Sequence, residues 1–354
     1  MRRAFVYLAT ILSLVLVSFR SDLLGRNLAS AMATKVIFTP AGTPISHNDL
    51  QRVEYLLQPT LAGTDVRSAT RAHLLLGLVW DRAGNRQRAM DEWRLADSAS
   101  LWEDLSSLAW SQGKSDDAIE FRKQAIAVAP SHLGNYFMLA WLYWPGTGRV
   151  DESIKVYSET AALAAPGSFE RYLAEGYLFR LQQNWAQALD RFEQALRIKP
   201  TRVDVHRLAA YVAGRSETYS LAIDHLKQAI NLSPLDSCID VDLGDIYRDV
   251  GQYAEASTWY SRAARIYPKN CAADPGHASL GRLYFEQRLF AKAASEYRAA
   301  ITLNPTNKDY HCRLAQAYER GGRISEALGE YLRTLELDAT DLDAKQSLMR
   351  LLHH

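Results

Sequence analysis

The residues that could do chemistry in this sequence are few, and they do not form a catalytic motif. Gly113-Lys114-Ser115 matches the end of a phosphate-binding loop, but Leu108 stands where the first glycine of such a loop is required. The sequence contains no HExxH, GxSxG or GxGxxG pattern, so zinc-hydrolase, serine-hydrolase and dinucleotide chemistry are not indicated. We therefore expect a turn at residues 113–115, no catalytic activity and no cofactor.

The cysteines do not indicate a metal site. Cys238, Cys271 and Cys312 are an odd number, are spaced 33 and 41 residues apart, and include no CxxC pair. One disulfide is conceivable in an oxidising compartment, whereas free buried thiols are the simpler prediction.

Composition narrows the class of protein. Of the 354 residues, 48% are hydrophobic and 23% are charged, which is typical of a chain with a buried core and excludes a largely disordered or polytopic membrane protein. Lys plus Arg number 41 and Asp plus Glu number 40, for a net charge of +1. This balance gives no electrostatic reason to expect nucleic acid as a partner.

The amino terminus carries a membrane-targeting pattern. Residues 4–19 are apolar or nearly so and uncharged, between Arg2-Arg3 and Arg20, and as a helix they would extend about 24 Å. This length allows either a signal anchor or a signal peptide over residues 1–20, with a buried ordinary helix as a third alternative. A small-x-small site at residues 29–31 lies farther from the apolar run than a cleavage site usually does. We expect the protein to be anchored by its N-terminus with the bulk extracytoplasmic, or exported after cleavage.

An internal repeat of 34 residues dominates the rest of the chain. Pro200, Pro234 and Pro268 are 34 residues apart, and Pro305 follows after 37. An alanine series has the same steps and the same three-residue insertion near residues 270–274: Ala188, Ala222, Ala256, Ala293 and Ala327. With these alanines at position 20, repeats start near residues 70, 99, 133, 169, 203, 237, 274 and 308.

Side-chain size recurs in register within the repeats. Positions 8, 20 and 27 hold small residues, as required where paired helices approach closely, and positions 11 and 24 are mostly aromatic. The repeat starting at 99 is the poorest match, because Ala109 occupies position 11 and Arg122 occupies position 24, with Phe121 beside it as the substitute. Proline at position 32 ends the second helix.

This pattern of small, aromatic and proline positions resembles the tetratricopeptide repeat, a helix-turn-helix unit. The resemblance covers residues 70–340 and implies an all-α, right-handed superhelical solenoid of about eight repeats. Residues 341–354 are then a C-terminal capping helix, residues 45–69 an N-terminal helical extension and residues 21–44 a tether.

The resemblance also implies a binding surface. In this family, positions 2, 5, 9, 12 and 13 face a concave groove that binds extended peptides or helices. Projected onto this sequence, they predict a partner-binding set of aromatic and arginine residues: Trp110, Phe137, Trp141, Trp144, Tyr177, Arg180, Arg207, Tyr211, Arg215, Arg248 and Arg282. Rigid aromatics and arginine dominate binding hot spots. Core packing of Trp141 with Trp144, and surface ion pairs for the arginines, are the competing interpretations.

The function predicted from these patterns is a non-catalytic scaffold that binds a polypeptide. The family's clamp for a C-terminal carboxylate, with Lys or Arg at position 5 and Asn at position 9, is absent. The alternative is an accessory subunit of an envelope glycan-handling or secretion complex that contacts carbohydrate through its aromatic cluster. A small-molecule ligand is not expected, and an unrecognised enzyme is the third possibility.

Overall fold

The computed structural model describes residues 32–33, 35–37, 45–62, 66–96, 98–265 and 274–352, and every regular element in these residues is helical. The all-α prediction is confirmed. The α-helices are α1 (His47–Leu61), α2 (Val66–Arg82), α3 (Arg86–Leu95), α4 (Ala99–Ser111), α5 (Ser115–Val128), α6 (Leu133–Trp141), α7 (Val150–Leu163), α8 (Phe169–Leu181), α9 (Trp185–Ile198), α10 (Val203–Arg215), α11 (Tyr219–Leu232), α12 (Ser237–Asp249), α13 (Tyr253–Arg265), α14 (Asp274–Glu286), α15 (Phe290–Leu303), α16 (Lys308–Arg320), α17 (Ile324–Leu337) and α18 (Leu342–Leu352).

The chain forms two compact units, Met1–Ala165 and Pro166–His354. The first unit contains α1 to α7, with a π-helical turn at Leu142–Gly146 after α6, and the second contains α8 to α18. Within each unit the helices pack in consecutive pairs, and from α2 onward each pair corresponds to one predicted repeat. The predicted repeat region 70–340 therefore includes parts of both units.

Small residues at position 8 let the two helices of a repeat lie close together. The aromatic ring at position 24 packs directly against them. A Cβ atom on Gly176 or Gly244 would lie 2.5 Å from the facing aromatic ring, and one on Gly281 would lie 2.8 Å away. The rings belong to Phe192, Tyr260 and Tyr297, respectively. Contact this close leaves no room for a side chain at Gly176, Gly244 or Gly281 without movement of the facing ring.

Position 15, in the turn between the two helices of a repeat, adopts the left-handed conformation. Gly84, Gly113, Gly251 and Gly322 have φ between 77° and 84°, which glycine adopts without steric cost. The equivalent residues Gln183, Glu217 and Arg288 have φ of 58° to 61°. Gly113 lies in one of these turns and Ser115 begins α5, so the predicted turn is confirmed at Gly113 and Lys114.

The carbonyl group of the proline at position 32 accepts a hydrogen bond from the following repeat. Tyr136 Oη donates to the Pro130 carbonyl at 3.2 Å, and His206 Nε2 contacts the Pro200 carbonyl at 2.9 Å. His311 Nε2 contacts the Pro305 carbonyl at 3.2 Å. These donors all occupy position 4. In the repeat that starts at 237, position 4 is Asp240, which cannot donate as a carboxylate, and Arg262 Nη2 donates to the Pro234 carbonyl instead at 3.0 Å.

Histidines at position 4 pair with the residue 19 positions later in the same repeat. The partner is glutamate in three repeats, with N to O distances of 2.7 to 2.8 Å: His73 with Glu92, His277 with Glu296, and His311 with Glu330. In the fourth, His206 Nδ1 lies 3.2 Å from His225 Nδ1, and both histidines are buried.

The predicted extensions are partly described. In the predicted tether, residues 32–33 and 35–37 are helical, and Ala33, Val36 and Ile37 are buried. In the predicted cap, Ala344 of α18 is buried, while Leu348 and Leu351 pack against the core of the last repeat. Residues 1–20, with the predicted signal anchor or signal peptide, lie outside the described residues. Within the described part of the chain, no helix is both long and apolar enough to span a bilayer.

The cysteines differ from one another. Cys238 is disulfide-bonded, whereas Cys312 is a half-buried free thiol whose pKa burial raises to about 11. Among the described cysteines, the prediction of a free thiol therefore holds only for Cys312.

Candidate functional site

A concave surface of the second unit is formed mainly by the first helices of three successive repeats, α8, α10 and α12, with Tyr219 and Leu226 of α11. We call it the second-unit groove; its volume is about 770 Å³. Six residues of the predicted partner-binding set line it: Tyr177, Arg180, Arg207, Tyr211, Arg215 and Arg248. The 34-residue repeat places them together, since equivalent positions on successive first helices face the same side.

Aromatic rings and guanidinium groups alternate along this groove. The Arg180 Cζ atom lies 5.5 Å from the ring centroids of both Tyr177 and Tyr211. The Tyr211 ring meets the Trp185 ring edge to face, with centroids 6.4 Å apart. Arg215 Cζ in turn lies 5.4 Å from the Trp185 ring. We call these five residues the aromatic-arginine strip; such contacts hold both kinds of side chain in place.

Arginine and aspartate pair across neighbouring repeats at the floor of the groove. Arg207 Nε donates to Asp242 Oδ2 at 2.6 Å, from α10 to α12. Burial raises the pKa of the Asp242 carboxyl, and Arg207 opposes that shift. The pair therefore fixes the Arg207 side chain and neutralises much of its charge.

Asp245 organises a second polar cluster. Its Oδ1 accepts hydrogen bonds from Tyr260 Oη at 2.6 Å, from Arg248 Nη1 at 3.1 Å and from Arg282. Burial, followed by the Asp245 carboxylate, raises the pKa of the Tyr260 hydroxyl, so this group stays a donor. Arg282, the seventh predicted residue of this unit, thus reaches the groove through Asp245.

The four remaining predicted residues lie in the first unit. The rings of Trp110 and Trp141 meet at 5.1 Å with an interplanar angle of 72°, and Trp141 is 38% exposed. Phe137 packs on Tyr157 at 6.1 Å, and the half-buried Trp144 lies in the π-helical turn. The eleven predicted residues are therefore divided between the two units.

The first unit has a smaller cavity of about 380 Å³ where the aromatic position 11 is vacant. Ala109 lines it together with Leu78, Leu105, Leu108 and, from the predicted tether, Ile37. The predicted substitute Phe121 is buried, and its ring packs against Trp93 at 5.6 Å and Trp102 at 5.8 Å. Phe121 thus replaces the missing ring of position 24, whereas the space at Ala109 remains open.

Two residues that contact the predicted set were not predicted: Trp185, which touches Tyr211, and Asp242, which lines the groove. Trp185 begins a second helix, and Asp242 lies one place after position 5, so neither belongs to the five positions that were projected. The sequence signal for the Arg207–Asp242 pair was an arginine at position 5 of one repeat, followed by an acid at position 6 of the next.

The described residues contain no group of three or more His, Cys, Asp or Glu side chains that could hold a metal ion. The second-unit groove offers rings, guanidinium groups and paired carboxylates, which suit it to non-covalent recognition.

Two family models, both described as "Tetratricopeptide repeat", match this chain. One matches residues 103–169 and 279–342, and the other matches residues 241–270. The chain contains tetratricopeptide repeats. The predicted solenoid of such repeats is thereby confirmed.

The curated proteins that resemble this chain match it over only part of their own length. Human protein O-mannosyl-transferase TMTC1 is 25% identical over 223 residues, which are 60% of this chain and 25% of that protein. Arabidopsis thaliana anaphase-promoting complex subunit 6 is 26% identical over 195 residues, 52% of this chain and 35% of the relative. The chain thus spans about a quarter to a third of these relatives.

Two solved structures support the fold. A tetratricopeptide repeat protein from Parabacteroides merdae has a TM-score of 0.51 at 13% identity, covering 72% of this chain and 98% of that one. The human IFIT1 dimer with PPP-AAAA also has a TM-score of 0.51, at 18% identity, covering 83% of this chain and 79% of IFIT1. At these identities the likeness concerns the fold alone.

Proposed function

We propose that this protein is a scaffold that binds a polypeptide partner in the second-unit groove. Tetratricopeptide repeats generally mediate contacts between proteins, and this chain contains them. The observation that carries the proposal is that six residues predicted to face a partner line one groove, in which aromatic rings alternate with guanidinium groups.

The chemistry of the groove suits a polypeptide. Its volume of about 770 Å³ lies within the range of ligand-binding sites. Tyr211 and Arg215 are exposed, and among the described residues Arg215 has no ion-pair partner, so its donors can meet a partner's carboxylate or carbonyl groups. Asp242 and Asp245 are paired with arginines, so rings and guanidinium groups, together with the exposed Glu217, form much of the contact surface.

The test measures peptide affinity after removal of the two exposed side chains. Peptides of twelve residues, selected from a random displayed library on the full chain, are titrated against the wild type and the Tyr211→Ala/Arg215→Ala variant. Because a single hot-spot residue contributes about 2 kcal/mol or more, we expect affinity to fall by about 30-fold or more. The matched control, Tyr253→Ala/Arg333→Ala, removes an equally exposed tyrosine and an exposed arginine elsewhere in the unit, and affinity should be unchanged.

Circular dichroism of both variants should match the wild type, because Tyr211 is 50% exposed and Arg215 is exposed. Selected peptides that bind both variants equally well would contradict the proposal. Binding to a glycan array in the absence of protein partners, lost in the Tyr211→Ala/Arg215→Ala variant, would favour the glycan-complex alternative instead.

We further propose that residues 4–19 hold the protein at a membrane, with the bulk extracytoplasmic, or direct its export. The support is the uncharged apolar sequence between flanking arginines. Deletion of residues 1–20 should move the protein from the membrane fraction, or from the exported fraction, to the cytoplasm. A truncated chain that still sediments with membranes would contradict this proposal.

A further inference from the structure

The N-terminal segment, by which we mean the described residues 32–33 and 35–37, buries an apolar face within the first unit. These residues are helical. Ala33, Val36 and Ile37 have relative exposures of 0%, 2% and 7%, whereas Lys35 is exposed. The spacing i, i+3, i+4 places the three buried residues on one side of a helix. The segment is therefore amphipathic and is seated by its apolar side.

The side chain of Ile37 reaches the cavity that the vacant position 11 leaves open. Ile37 lines this 380 Å³ cavity together with Leu78, Leu105, Leu108 and Ala109. Six other repeats carry an aromatic ring where this repeat has Ala109. The missing ring leaves room for an apolar side chain from outside the repeats, and in this structure Ile37, which precedes the repeats, forms part of the wall of that space.

Several of the charged side chains that line the cavity form ion pairs with one another. Arg86 contacts Asp81 at 2.8 Å and Asp117 at 3.0 Å, and its guanidinium stacks on the Phe121 ring at 4.5 Å. An ionic ligand would have to break these contacts, whereas an apolar side chain can enter between them. The apolar part of the lining, formed by Leu78, Leu105, Leu108 and Ala109, therefore favours an apolar side chain, while Arg82, Gln112 and Lys114 line the polar part.

We propose that this cavity is a second binding site, specific for a short amphipathic helix with apolar residues at i, i+3 and i+4, and that the N-terminal segment is its intramolecular occupant. A partner helix of the same pattern must displace the segment, which competes at the high effective concentration of a tethered ligand. The site lies in the first unit and is independent of the second-unit groove.

Displacement can be measured with a peptide copy of the segment. A fluorescein-labelled peptide of residues 30–39 is titrated against the full chain, as wild type and as Ile37→Asp, by fluorescence anisotropy. Aspartate at position 37 expels the tethered segment, so the peptide should bind this variant at least tenfold more tightly than the wild type. Leu235→Asp, which places the same charge at a 74%-exposed leucine of the second unit, should behave as the wild type.

A third variant identifies the cavity as the site. Ala109→Phe in the Ile37→Asp background restores the ring typical of position 11, and peptide binding should fall at least tenfold. The Tyr211→Ala/Arg215→Ala variant in the same background should leave this binding unchanged, which separates the two proposals.

If Ile37→Asp loses helicity by circular dichroism, Ile37→Ala takes its place, with an expected gain of at least threefold. Equal binding by wild type and Ile37 variant, binding by neither, or binding unaffected by Ala109→Phe would overturn the proposal.

Discussion

Alanine in place of Gly276 is expected to lower the free energy of unfolding of the second unit by about 3 kcal/mol. Gly276 lies in the first turn of α14, where a Cβ atom would meet the backbone nitrogen of Ala264 and lie 2.9 Å from the carbonyl carbon of Ala263. These are backbone atoms of α13, so the added methyl group can be accommodated only if the two helices separate. Urea denaturation followed by circular dichroism measures the loss.

Gly214→Ala is the matched control for this prediction. A Cβ atom on Gly214 would lie 2.8 Å from Ile246 Cδ1, the far end of a flexible side chain that can rotate away. Alanine also favours a helix over glycine by about 1 kcal/mol, so the stability of this variant should remain within about 1 kcal/mol of the wild type. Equal losses at the two glycines would show that the close approach of α14 to the α13 backbone is not the cause.

Acidification from pH 7 to pH 5 is expected to cost about 2 kcal/mol of stability through the His206–His225 pair. His206 Nε2 donates its proton to the Pro200 carbonyl, so Nδ1 of a neutral His206 ring is a hydrogen-bond acceptor. The hydrogen bond between the two rings is therefore donated by His225 Nδ1. His225 Nε2 is then a buried acceptor without a hydrogen-bond partner among the described residues, with Glu193 4.0 Å away.

The sign of the effect follows from the pKa of His225. Burial, followed by the neighbouring His206, lowers this pKa from 6.5 to about 4. The unfolded chain therefore binds a proton that the folded chain does not, and stability present above pH 6.5 is lost as the pH falls toward 4. Urea midpoints at several pH values measure the loss.

His225→Gln is the matched variant for the pH effect. Glutamine still offers an amide donor to His206 Nδ1 but does not titrate, so its stability should change by less than about 1 kcal/mol over the same interval. A glutamine variant with the same acid sensitivity as the wild type would assign the effect to other groups.

The helical pairs were predictable because helix crossings constrain side-chain size in register. The small residues at position 8 and the aromatic residues at position 24 lie against each other, as Gly176 and Phe192 do. Phe121 occupies the ring site left by Arg122 because its ring can reach the same core, beside Trp93 and Trp102.

Polar partners and long-range packing were not predictable from the same pattern. Trp185 contacts Tyr211 only because its helix begins beside that ring, a proximity that depends on how successive repeats pack. Ile37 and Ala109 line the same cavity although they are far apart in sequence, and no periodicity links them. The boundary at Ala165–Pro166 likewise lies within a stretch in which the repeat pattern continues.

The hydrogen bonds to the proline carbonyls have a consequence for exchanging pieces of this chain. A fragment of residues 203–236 carries a donor to the preceding repeat, His206, and an acceptor for the following repeat, the Pro234 carbonyl. Such a fragment can be duplicated in tandem with both joints satisfied. In the repeat that starts at 237, the donor to the preceding proline carbonyl is Arg262, which lies in the second helix of the repeat. Transfer of the first helix alone would therefore place Asp240 at the junction without Arg262, its ion-pair partner and the donor to that carbonyl.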